Sequence, residues 1–237
     1  MAVFRSKAKY TLEVTPIFDI FTLLMAFCFM YSFTLEKQAE EFYGAVEIFR
    51  WLFVIGLLLL ARGVVIKDDY EVTMKEALNI LFYTMIGIMA LGIVNITVSA
   101  LARATGMMSV ADTTFGVVLN YGVVDNLFIA FLAGYNEEIA FAAIYFLIYR
   151  LAPDRPVGIG RFQVNFAHLV TMWAVAVLFP IYHSIAYNIW GPVFIVLYIG
   201  RIVLTEIMVR SRRIEPSILA HATWDLITVL PLLFIFG

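Results

Sequence analysis

Tyr135-Asn136-Glu137-Glu138-Ile139-Ala140-Phe141-Ala142 places two adjacent carboxylates inside a long apolar run; between Phe115 and Tyr149 the charged side chains are Asp125, Glu137 and Glu138. A carboxylate at the centre of a helix in hydrocarbon costs about 2.5 to 3.5 kcal/mol on insertion scales. Two neighbours also repel each other. A pair held at that cost implies either chemistry or a partner. Adjacent helix positions point about 100° apart, so Glu137 and Glu138 cannot both address one atom.

Outward from that stretch, the whole chain reads as membrane protein. Of its 237 residues 63% are hydrophobic and 14% charged, against about 45–50% and about 25% in soluble domains. Crossing a hydrocarbon layer of about 30 Å takes about 20 apolar residues. The expected fold is therefore all-α: an integral, multi-pass bundle of about seven or eight transmembrane helices, one polytopic domain over residues 1–237. Spans are expected near 17–35, 48–66, 78–101, 166–187, 192–209 and 216–236. The run from Phe115 to Arg150 is too long for one straight crossing at about 1.5 Å per residue. Gly134-Tyr135-Asn136 interrupts it, which predicts two helical pieces, the second carrying the carboxylates near its start.

Charge and cysteine use exclude several classes. The net charge is −2 and no basic run interleaves with aromatics, so nucleic acid is not an expected partner; the lipid bilayer is. The single cysteine, Cys28, excludes an internal disulfide. The first apolar run, from Ile17, is long enough to span, which argues against a cleavable signal peptide. Basic links at the N-terminus, 150–161 and 210–213, against an acidic link at 36–47, predict a cytoplasmic N-terminus.

Two more polar constellations interrupt apolar helices. His183 lies deep in its span with Phe179 one turn before it, on the same face. His221 and Asp225 are four apart on another and also share a face. The third histidine, His168, sits near a span entrance and reads as interfacial. Asp19, Asp125, Arg201 and Glu206 read as structural pairs or interface residues. The bland alternative for the buried groups is interhelical hydrogen bonding; for Glu137 and Glu138 together that purpose is too small for two charges.

Glu-Glu-x-x-x-Arg, then Phe-x-x-x-His, then His-x-x-x-Asn/Asp on successive helices is the signature of the CAAX protease and bacteriocin-processing family, intramembrane proteases that include the type II CAAX prenyl endopeptidases. The sequence resembles it at Glu137-Glu138, at Phe179 with His183, and at His221 with Asp225 over about residues 130–230. It departs at Ala142, where the family has arginine, four positions after Glu138. Without that arginine Glu138 is either protonated or paired elsewhere, and Arg201 is one candidate partner.

The resemblance implies an intramembrane endopeptidase whose catalytic residues are Glu137, Glu138, His183, His221 and Asp225. In it Glu137 is the general base that activates water; a carboxylate buried beside a like-charged neighbour suits that work near neutral pH. His183 binds the water or stabilises the oxyanion. His221 shares that task or protonates the leaving amine, and Asp225 holds its tautomer or contacts the oxyanion. The substrate is a prenylated protein or another membrane-associated peptide. No cofactor is expected, although Glu137, His183 and His221 are a possible zinc set; no His-Glu-x-x-His helix is present. The rival reading is a non-catalytic scaffold or immunity-type member, for which Ala142 argues. Proton transport along the carboxylates and histidines is weaker, since no inverted repeat is visible.

Overall fold

A computed structural model describes residues 73–107, 123–159, 162–187 and 190–236. They form α1 (Met74–Ala104), α2 (Val123–Leu151), β1 (Pro156–Ile159), β2 (Phe162–Asn165), α3 (Phe166–Tyr187), α4 (Pro192–Ser211) and α5 (Glu215–Phe236). Three of these five helices, over Met74–Ala104, Phe166–Ser184 and Pro192–Ser211, are long and apolar enough to cross a membrane. The helical, integral-membrane expectation therefore holds. The spans expected near 17–35 and 48–66 lie outside the described residues, as do Asp19, Cys28 and the side chain of Asp125.

The chain divides into two compact units, one containing Ile139–Val175 and the other Glu71–Glu138 with Ala176–Gly237. In the second unit α1 begins with a capping box: Thr73 Oγ1 accepts from the Glu76 amide at 3.3 Å, and Glu76 Oε2 accepts from the Thr73 amide at 3.1 Å. Two orphan N–H groups are thereby satisfied. Glu76 also lies 3.7 Å from Arg213 Nη1, in the short turn between α4 and α5.

Helix α1 separates two faces at helical spacing. Leu78, Leu81, Phe82, Met85, Met89, Ile93 and Ile96 are exposed, while Thr84, Gly87, Leu91, Val98 and Ala102 are buried. Apolar side chains in such a continuous stripe suit lipid rather than water. On the buried face Leu91 packs with Leu204 of α4 and Ala220 of α5, joined by Ile88 and Trp224. Val98 meets Val193, with Val94, Val196 and Leu197 around them. Gly87 makes the approach possible, since a Cβ there would stand 2.7 Å from Ala220 Cβ and from Ile207 Cδ1. Lipid tails are as apolar as the side chains, so close contact between helices supplies the packing energy.

Two expectations need correction. Helix α2 runs unbroken through Gly134-Tyr135-Asn136, so the carboxylates lie mid-helix and not near a start. The glycine answers a packing need: a Cβ on Gly134 would lie 2.6 Å from the amide nitrogen of Ala222 and 2.8 Å from its Cα. Helix α5 thus passes against the α2 backbone one turn before Glu138. The fold is also not purely α, because the link after α2 folds into an antiparallel hairpin pairing Pro156 with Asn165 and Ile159 with Phe162.

In the unit containing Ile139–Val175, His168 departs from its interfacial reading. It is buried and its Nδ1 is hydrogen-bonded to the Tyr145 hydroxyl at 2.6 Å. Asn165 Oδ1 accepts from the His168 amide, and Asn165 also bonds Asp154 across the hairpin base. Arg155 lies over the Phe166 ring at 4.5 Å.

Candidate active site

Four helices of the unit formed by Glu71–Glu138 and Ala176–Gly237 converge on one cluster. Helix α2 brings Glu137 and Glu138, α3 brings Phe179 and His183, α4 brings Arg201 and Thr205, and α5 brings His221 and Asp225. All five residues expected at the site from the sequence are brought together. Glu138 is 0% exposed, Arg201 1% and Glu137 2%.

Glu138 is clamped. Arg201 Nη1 donates to its Oε1 at 2.7 Å and Nη2 to its Oε2 at 2.8 Å. This fork matches both carboxylate oxygens at once and fixes the plane as well as the position of the carboxylate. Arg201 Nε donates to Thr205 Oγ1, one turn further along α4, at 3.2 Å. The guanidinium carbon lies 5.5 Å from the Phe179 ring centroid, within cation–π range. Glu206, the other acid near Arg201 in sequence, pairs instead with Arg210 at 2.7 Å.

The partners of the two imidazoles assign their protons. His183 Nδ1 faces the Phe179 carbonyl at 3.0 Å, and a carbonyl is an acceptor, so Nδ1–H donates. His221 Nδ1 lies 2.9 Å from Glu138 Oε1, and a carboxylate held by a guanidinium accepts, so Nδ1–H donates there too. Both rings therefore turn Nε2 inward. His183 Nε2 stands 3.5 Å from Glu137 Oε1, and His221 Nε2 stands 3.8 Å from Glu137 Oε2. These separations exceed the usual direct bond of about 2.7–3.2 Å. They set both imidazoles beside one carboxylate without a direct hydrogen bond to it.

Asp225 does not hold the tautomer of His221, because Glu138 occupies Nδ1. Its Oδ2 lies 3.5 Å from His221 Nε2, on the side that faces Glu137. Phe179 forms an apolar wall: its ring centroid is 4.4 Å from that of His183 and 6.0 Å from that of His221. Beside Glu137, Asn136 is buried and its Oδ1 has no hydrogen-bond partner among the described residues. Sequence reasoning did not single out Thr205, and it read Asn136 only as part of the interruption at Gly134-Tyr135-Asn136. A hydroxyl four positions after a buried arginine was the available signal for the first; the second carries none. Among the described residues no group of three His, Cys, Asp or Glu side chains is arranged to hold a metal ion.

Residues 117–227 match the family model described as Rce1-like, type II CAAX prenyl endopeptidase. That stretch, just under half of the chain, is similar to this family. The match spans all three motifs, from Glu137 to Asp225, and so bears out the resemblance carried by them. At the family level it supports a CAAX-type intramembrane protease. No curated protein and no solved structure matches the chain.

Proposed function

We propose that the chain is an intramembrane endopeptidase in which Glu137 activates water against a peptide bond of a prenylated or membrane-associated peptide, and that it is a multi-pass protein with a cytoplasmic N-terminus. The observation that carries this reading is the convergence of His183 Nε2 and His221 Nε2 on the two oxygens of one buried carboxylate, Glu137. A proton taken from water by Glu137 leaves hydroxide character at an oxygen that it holds beside His183. That oxygen forms a bond to the peptide carbonyl carbon, whose oxygen becomes the tetrahedral oxyanion. Collapse breaks the C–N bond, the leaving amine takes a proton through His221, and the products are a carboxylate and an amine. Asp225, beside His221 Nε2, stands where it adds to the stabilisation of that intermediate.

The scaffold alternative rested on Ala142. Arg201 pairs with Glu138, which supports the enzyme reading over the scaffold despite Ala142. The test is the purified protein with quenched peptides of three kinds: prenylated C-terminal tails, bacteriocin-like peptides, and the juxtamembrane segment of a membrane protein. Cleavage of one class that disappears in Glu137→Ala supports the enzyme. No cleavage of any class supports the scaffold. A chelator in the same assay decides the zinc question: activity is expected to survive it, and a loss restored by zinc points to Glu137, His183 and His221 as ligands.

A further inference from the structure

The family signature supplies an arginine from the glutamate helix itself, four residues after the second glutamate. Here that position is Ala142, which is 0% exposed. The guanidinium comes instead from α4, 63 residues after Glu138. We propose that Arg201 is a positioning residue that replaces the absent motif arginine, and that its clamp on Glu138 sets the direction in which His221 presents Nε2 to Glu137.

Each part of the chain of contacts leaves the next little freedom. Thr205 restrains the guanidinium at Nε, and the Phe179 ring lies against the guanidinium. The remaining two nitrogens meet the two oxygens of Glu138 as a planar fork. The oxygen that accepts from Arg201 Nη1, Oε1, also accepts from His221 Nδ1. A carboxylate fixed in this way admits one position for the imidazole proton, as the orienting acid does in a Ser-His-Asp triad. Lysine at 201 would keep the charge but lose the fork. A purely structural role explains the arrangement less well, because a buried ion pair gives little net stability over apolar residues of the same size.

The kinetic part of this inference rests on the hydrolase reading; the placement of the His221 proton does not. The experiment uses the full chain in lipid nanodiscs with 15N-labelled histidine, whose three residues are few enough to assign by single substitutions such as His221→Gln. Arg201→Met combined with Glu138→Leu removes both charges and fills the space. Arg201→Lys is the milder second variant should the double variant not fold. The expected result is a proton on His221 Nδ1 in the native protein and its redistribution in Arg201→Lys, where Glu138 still stands beside the ring; redistribution in the double variant alone, which removes the acceptor as well, would overturn the part given to Arg201. With a cleavable peptide, kcat is expected to fall roughly tenfold or more while KM stays within about twofold. An unchanged His221 signal with unchanged kcat in the variants would overturn the proposal and leave the pair as packing. If the native protein cleaves nothing, the hydrolase reading fails, and the histidine signals still decide whether Arg201 sets the ring.

Discussion

Glu137 and Glu138 are neighbours in sequence, yet their surroundings differ in a way that fixes opposite consequences for replacing them. Glu138→Ala strands the buried Arg201 without its carboxylate, and removing one member of a buried pair costs about 3–5 kcal/mol. Thermal unfolding in detergent should show a large loss of stability for this variant. Glu137→Ala removes a carboxylate that touches its neighbours at longer range, so it is expected to unfold near the native temperature while cleaving nothing. The reverse ranking would mean that the structural and catalytic roles are exchanged. At this scale the sequence was informative where it repeated a motif: His183, His221 and Asp225 all reach the cluster. It was less informative where the motif departs, because a bare Ala142 does not say which distant cation answers Glu138. Arg201 stood out as a charge inside a span, and the fold had to bring α4 beside α2 before the pairing could be read.

Elements position the cluster through close approach, and Gly134 is where that approach is tightest. Gly134→Ala would drive a methyl group to 2.6 Å from the backbone of α5 at Ala222, next to His221. Backbone cannot rotate away as a side chain can, so α5 must shift. Overpacking of this kind costs about 1–3 kcal/mol, and the shift separates His221 from Glu137. Peptide cleavage is therefore expected to fall by more than stability does. Gly92→Ala is the control, because its added Cβ meets the Trp224 ring at 3.5 Å, an ordinary contact; activity and melting should match the native protein. The glycine misled the sequence reading because the same residue serves as a helix interruption and as a contact point. Only the position of α5 separates the two. The hairpin was closer to legible: Val157, Ile159, Phe162 and Val164 alternate with small or polar residues around Gly160-Arg161, a period-two pattern that the prolines and arginines of the link obscured.

For the molecule in its bilayer, the exposed apolar stripe of α1 makes the most direct test of which surface meets lipid. Met89 is 56% exposed on that stripe. Met89→Arg is expected to reduce insertion by about 2.5–3.5 kcal/mol when scored by glycosylation mapping of the span within the full chain. Thr84→Leu, on the buried face, should insert as well as the native helix and instead disturb packing against its neighbours. Equal effects would deny that α1 has a lipid face. Composition alone was enough to announce a membrane protein. The order of buried and exposed positions around α1 emerges once α4 and α5 cover one side.

The contact between Glu76 and Arg213 ties the first turn of α1 to the corner joining α4 and α5. That corner also carries Arg212, and Arg210 lies in the last turn of the preceding helix, a cluster of charge that suits a polar surface of the membrane. Measured down α5 from Glu215, His221 is six residues in, about 9 Å deep; measured back along α4 from Ser211, Arg201 is about 15 Å deep. A hydrocarbon layer is about 30 Å thick. If the proposed hydrolase reading holds, such a depth suits a peptide whose apolar anchor enters the same leaflet as the arginines and whose polar remainder stays in water.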